Sequence, residues 1–278
     1  MVIGGTGFIG TPLVERLVRE GYDITLLIEK GGFSNKLSSC KYFIGDLLDK
    51  GSFTEKINSF DLVINLAAII RTVNKKKYQE NIKGARNLVE ILEEKGIKQL
   101  IHFSTQNVNL KEKGPYTKSK EAAEKIVRDS KLDYLIVRPN YVYAINKTND
   151  FFRLASMISR FRVAVVIGKG NNKIQPVLRE DLVDAVMDCV GNFSPRSIVE
   201  ISGRETLSIN EVVSLIKEGL KVKPLVLHVP LSILKIFKSF VPFDVNGYTE
   251  DRMSVNPFPN SKFSLFTENL KEILELLK

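Results

Sequence analysis

The chain opens with MVIGGTGFIG (residues 1–10), and TPLVERLVREG follows from residue 11 with its apolar residues at helical spacing. An apolar start, a glycine-rich turn and an amphipathic helix make one strand–turn–helix unit. Gly4, Gly7 and Gly10 stand three apart. That spacing permits a tight turn, close approach of backbone to a pyrophosphate, and close packing of the helix. Thr6, Phe8 and Ile9 complete the loop, so the helix start with its free N–H groups becomes a cradle for a dinucleotide. A glycine turn with no ligand is the plain alternative. The strand before it and the helix after it favour the cradle. Only three residues precede Gly4, which predicts a very short first strand.

Outward from this unit, short apolar runs alternate with amphipathic segments. DITLLI (23–28), KYFIGD (41–46), DLVINLAA (61–68), QLIHFST (99–105) and LDYLIVRP (132–139) read as strands. SFTEKINSF (52–60) reads as a small helix, and ENIKGARNLVEILEEKG (80–96) as a strong one stopped by Gly96. REDLVDAVMDCVGN (179–192) predicts a further helix, SIVEISG (197–203) a last strand, and LSINEVVSLIKEGL (207–220) a capped helix. The expected class is α/β: a Rossmann-type, doubly wound parallel sheet with a small C-terminal substrate-binding lobe. Residues 1–205 are assigned to the dinucleotide domain, with 146–180 contributing to the substrate side. Residues 206–278 are assigned to the lobe or lid.

Several side chains are placed to do chemistry. Glu29, nineteen residues past Gly10 at the end of the second strand, can accept hydrogen bonds from a ribose and so favours NAD. Its neighbour Lys30 could instead pair with the 2′-phosphate of NADP. Asp46, with Leu47 beside it, closes the third strand where an adenine edge would lie; a turn cap is its structural alternative. In GPYTKSKEAAEK (114–125), Tyr116 and Lys120 are four apart and share one helix face. A free tyrosine, with a pKa of ~10, is a poor acid or base near neutrality. A neighbouring ammonium favours its phenolate and lowers that value. Ser104 and Thr105, at the end of the preceding strand, offer hydroxyls to polarise a substrate oxygen. Lys118 and Lys125 read as solvated surface charges.

The 278 residues carry a formal net charge of +9, yet glutamates are interleaved with the lysines and no long basic block forms. Nucleic acid is therefore not an expected partner. Cys40 and Cys189 lie far apart without partner spacing, which fits a reducing cytoplasm and excludes a cysteine metal site. His102 and His228 sit among apolar residues and are expected in the core, not on a metal. No apolar run reaches the ~18 residues of a transmembrane segment, and no signal peptide precedes the glycine loop. VPLSILKIFKSFVPF (229–243) predicts a broadly apolar helix, buried as a lid over the lobe. Peripheral membrane contact is its sharper alternative.

The ordered set GGTGFIG, the GD of FIGDLLD, NLAA, ENIKGARNL, a strand-end Ser/Thr, Tyr-x-x-x-Lys and RPNYVY resembles the extended short-chain dehydrogenases/reductases. Within that superfamily it resembles the NAD-dependent epimerase/dehydratase branch, over residues 1 to about 205. The resemblance implies that Tyr116 is the acid/base and that Lys120 binds the nicotinamide ribose while lowering the tyrosine pKa. It implies Thr105, with Ser104 as fallback, as the catalytic hydroxyl. It places Ala67 and Ala68 against the cofactor, gives Asn81 a structural role, and sets Pro139, Asn140 and Val142 beside the nicotinamide. Its substrate class is a nucleotide-linked sugar, and homodimers are common in it. The arginine that often clamps the sugar diphosphate has no clear counterpart in NKIQPVLRED (172–181), where Lys173 or Arg179 could serve. Features of this stretch are similar to an atypical branch that includes the NAD(P)-binding accessory subunit of respiratory complex I. A non-catalytic dinucleotide-binding subunit or sensor, or a reductase of a hydrophobic ketone, are the alternatives.

Overall fold

The first residues form β1 (Val2–Ile3), a glycine turn and α1 (Gly10–Arg19). The alternation continues through β2 (Thr25–Ile28), β3 (Lys41–Ile44), β4 (Leu62–Asn65), α2 (Gln79–Glu94), β5 (Gln99–Phe103), α3 (Pro115–Asp129) and β6 (Asp133–Pro139). It then passes to β7 (Val142–Tyr143), α4 (Asp150–Phe161), β8 (Val163–Ile167), β9 (Lys173–Ile174), β10 (Val177–Leu178) and α5 (Arg179–Gly191). The chain ends through β11 (Ser197–Ile201), β12 (Leu207–Ser208), α6 (Ile209–Leu220), β13 (Leu225–Val229), α7 (Leu231–Ile236) and α8 (Phe266–Glu275). This computed structural model describes residues 1–31, 40–57, 59–236, 250–254 and 258–277, with the side chains of 234–236 outside that set.

Seven strands form one parallel sheet in the order β11-β6-β5-β4-β1-β2-β3, a doubly wound Rossmann arrangement. β1 holds its central place with two residues because both its edges are paired. Val2 and Ile3 match Leu26 and Leu27 on one side, and Ile64 and Asn65 on the other. Their side chains alternate, so Val2 enters the core beneath α1 and α5, and Ile3 the core beneath α2 and α3. The first of these cores joins Leu13, Val14 and Leu17 to Leu182 and Val186. The second joins Leu88, Ile91 and Leu92 to Val127. The strand order reverses at β1 and β4, and a crevice opens at their carboxyl ends.

Local signals account for the helix ends. Gly96, at φ +69°, stops α2 in the left-handed region that suits glycine. Ser208 and Glu211 form a reciprocal capping box that starts α6. The small helix expected over 52–60 is two short 3₁₀ turns instead, Lys50–Ser52 and Thr54–Lys56.

A third apolar cluster builds a smaller lobe from α4, α6 and α8, with Phe151, Ile158, Val212, Ile216, Phe266 and Ile273 at its centre. Tyr143, Phe151 and Phe266 meet edge to face, with ring centroids 4.7–5.7 Å apart. β9 pairs antiparallel with β12, which ties residues 173–174 to 207–208. In the stretch 229–243, expected as one helix, Val229 instead ends β13 and α7 covers Leu231–Ile236, with Ile233 46% exposed. The side chains of Leu234, Ile236, Phe237, Phe240 and Val241 lie outside the described residues.

Candidate active site

A cleft of about 1080 Å³ lies over the carboxyl ends of β1, β4 and β5 and runs on to the lobe. Its floor is the glycine turn. Gly4 has φ +77°, and a Cβ there would sit 2.8 Å from the Ala67 nitrogen. At Gly10 a Cβ would meet the Gly4 carbonyl oxygen at 2.1 Å. Any side chain at either position would force the turn away from β4 or lift α1 off it. No acidic side chain occupies the first turn of α1, so its N-terminal field is available to an anion. This cradle fits a dinucleotide pyrophosphate.

Gly4, Thr6, Gly7, Phe8, Ile9, Gly10, Glu29, Asp46, Leu47, Ala67 and Ala68 all line the cleft. Asp46 also closes a turn, its Oδ1 accepting from the Leu48 N–H at 2.8 Å. Lys30 does not line the cleft; Glu29 is the charge that does. Asn81 pins the loop after β4. It accepts from the Ile69 N–H at 2.8 Å and donates to the Ile69 carbonyl at 3.1 Å and to Ser119 Oγ at 3.0 Å.

Ser104, Thr105, Tyr116, Lys120, Pro139, Asn140 and Val142 line the same cleft. Pro115 at the first helical position and extended Gly114 before it start α3, so Tyr116 and Lys120 fall on its first two turns. The Tyr116 ring packs 5.8 Å from that of Tyr78. Thr105 caps the following 3₁₀ turn, its Oγ1 accepting from the Asn107 N–H at 3.3 Å, which leaves its own O–H to donate. The buried Ser104 hydroxyl has no hydrogen-bond partner among the described residues.

Lys120 is only 2% exposed, and burial pushes its ammonium down to about 8, while the charge of Glu124 one turn on opposes the fall. His102 lies beneath it. Asn65 Oδ1 accepts from the Ala67 N–H at 3.1 Å, which turns Asn65 Nδ2 toward His102 Nδ1 at 3.4 Å. A neutral ring accepts there and carries its proton on Nε2. Burial first, and the Lys120 charge second, hold this imidazole well below its ordinary range.

The Lys120 shift has a measurable consequence for the ligand-free chain. Between the folded value of about 8 and the unfolded value near 10.5, the unfolded state alone keeps the proton. Stability therefore rises with pH across that window, by about 3 kcal/mol in total. Denaturant unfolding at stepped pH values should show the rise, and Lys120→Met should flatten it. An unchanged slope in the variant would mean that Lys120 is not the group responsible.

Two residues proposed from sequence to hold substrate are placed elsewhere. Lys173, on β9, is drawn into an ion pair with Glu211, with Nζ–Oε distances of 2.7 and 2.9 Å. Arg179 heads α5, pairs with Glu180 and stacks 5.1 Å over the Phe8 ring. Neither lines the cleft. Besides Lys120, the cations that do are Arg71, Lys77 and Arg252. Arg71 pairs with Asp150 at 2.6 Å, and Asp150 also accepts from the Tyr141 hydroxyl at 2.6 Å. Arg252 lies 5.7 Å over the Tyr141 ring, its carbonyl accepting from Asn140 Nδ2 at 2.8 Å. No local motif marks Arg252, because its neighbours in the cleft are more than a hundred residues away in sequence.

A family model described as NAD dependent epimerase/dehydratase family matches residues 1–198. The human sterol-4-alpha-carboxylate 3-dehydrogenase, decarboxylating, is 26% identical over 205 residues, 66% of this chain and 54% of that protein. The chain thus spans about half the length of that relative. An N-acetyl-alpha-D-glucosaminyl-diphospho-ditrans,octacis-undecaprenol 4-epimerase from Escherichia coli O157:H7 is 23% identical over 252 residues, covering 83% of this chain and 75% of its own. Among solved structures, the NAD dependent NDP-hexosamine 5,6-dehydratase TunA superposes with a TM-score of 0.78. That match has 20% identity, over 99% of this chain and 95% of the other, and speaks for the fold.

Proposed function

The chain belongs to the NAD dependent epimerase/dehydratase family, and from that premise we propose that it epimerises or dehydrates a nucleotide-linked sugar. The supporting observation is that Tyr116, Lys120 and Thr105 line the same cleft as the glycine cradle. Bound NAD would supply the acceptor, and then the donor, of a hydride. The protein's part is to move a proton at the substrate hydroxyl. The Tyr116 phenolate takes that proton as the carbon is oxidised, and the phenol so formed returns it when the keto group is reduced. The Lys120 ammonium favours the phenolate and would hold the ribose of NAD. The Thr105 O–H, its acceptor side already used by Asn107, donates to the substrate oxygen. Arg252 and Lys77 bring to the cleft the positive charge that Lys173 and Arg179 do not. Glu29, lining the cleft where Lys30 does not, favours NAD over NADP.

Incubation of the purified chain with NAD and a panel of UDP- and dTDP-hexoses tests the reading. NMR of the sugar should show an inverted carbon, or mass spectrometry the loss of water, without net reduction of NAD. Tight NAD binding with no turnover across the panel would leave a dinucleotide-binding module in its place.

A further inference from the structure

Away from the cleft, the two-stranded ribbon of β8 and β13 carries aliphatic side chains on both faces. Its parallel register sets Val163 beside Leu225, Val165 beside Leu227 and Ile167 beside Val229. The inward residues Ala164 and Val166 are buried in the lobe core, and Val226 packs against the same core. A ribbon with one face covered ordinarily turns polar residues to water. Here all six outward residues are Val, Ile or Leu. Val165 is 41%, Leu227 44% and Leu225 61% exposed, and Phe161, just before β8, is 64% exposed. Ile233, in α7 shortly after β13 in the chain, is 46% exposed as well. Single exposed apolar residues need no explanation, but a contiguous patch of this kind marks a contact surface.

The rim identifies the partner. Arg160, Arg162, Lys169, Lys221 and Lys223 are all exposed around the ribbon. No aspartate or glutamate occurs between Arg160 and Arg179, or between Gly219 and Phe243. Protein-binding surfaces concentrate Tyr, Trp and Arg at their centre. This one has an aliphatic centre and a cationic border, which complements a bilayer: hydrocarbon meets the middle and phosphates meet the rim. We propose that the β8–β13 face docks the chain peripherally on an anionic lipid bilayer. No described helix is long and apolar enough to cross one.

Flotation of the full chain with phosphatidylcholine vesicles, with and without phosphatidylglycerol, tests this independently of any enzymatic activity. Binding should require phosphatidylglycerol and fall as salt is raised. Leu225→Glu combined with Leu227→Glu should abolish it. Arg160→Glu and Arg162→Glu, both on the surface, should each weaken it by about fivefold or more. Lys125→Gln, on the solvent side of α3, should leave it unchanged, and circular dichroism should show every variant folded. Absence of flotation, or equal binding to both vesicle types, would overturn the proposal. So would a concentration-dependent self-association removed by the Leu225/Leu227 variant, which would assign the face to a second copy of the chain.

Discussion

Replacing Tyr116 by phenylalanine is expected to lower turnover by about 10²–10⁴-fold, the range typical of a lost general acid–base group, with NAD affinity unchanged. The substitution removes one oxygen and keeps the ring, so the packing 5.8 Å from Tyr78 survives. It also leaves the glycine turn and Glu29 untouched, and these form the part of the cleft assigned to the dinucleotide. Lys120→Met should behave differently, lowering turnover and NAD affinity together, because that ammonium is assigned both the phenolate and the ribose. Steady-state rates beside calorimetric NAD titrations separate the two patterns. Full turnover by Tyr116→Phe on a confirmed substrate would sink the acid/base assignment.

The parts of this molecule that sequence makes legible are those set by neighbours along the chain. The glycine turn is one: a left-handed Gly4 and a crowded Gly10 follow from spacing and from the strand and helix on either side. The placing of Tyr116 and Lys120 on one helix face is another. Where chemistry depends on a distant return of the chain, local pattern fails. Lys173 and Arg179 are near the right place in sequence, but the chain's return brings Glu211 to Lys173, and Arg179 pairs with its own neighbour Glu180. Arg252 arrives from the far end of the chain and carries no motif. His228 shows a second limit. Its apolar neighbours suggest the core, yet it lies exposed on β13, with Nδ1 3.1 Å from the Gly168 carbonyl. Periodicity says which residues are apolar; it does not say whether anything covers the face they form.

Arg138→Met is expected to destabilise the fold by ~3–5 kcal/mol, the range for breaking a buried ion pair from one side. Arg138 grips Glu124 through two nitrogens, at 2.9 and 2.7 Å, and reaches Glu200 at 3.3 Å. Those glutamates are 1% and 2% exposed, so methionine would leave two carboxylates out of water without the guanidinium that bridges them. Adding Glu124→Gln should recover part of the loss, since one of the stranded charges is gone. That rescue separates an electrostatic deficit from a simple packing defect, which would be indifferent to Glu124. A double variant no more stable than Arg138→Met would point to packing alone. The network also bears on the candidate active site. Glu124 lies one turn beyond Lys120 on α3, and Arg138 immediately precedes Pro139 and Asn140 in the cleft wall. The same ion cluster therefore fixes the helix bearing the proposed acid/base pair to the strand end beside it. In Arg138→Met molecules that remain folded, turnover should fall more than the folded fraction does.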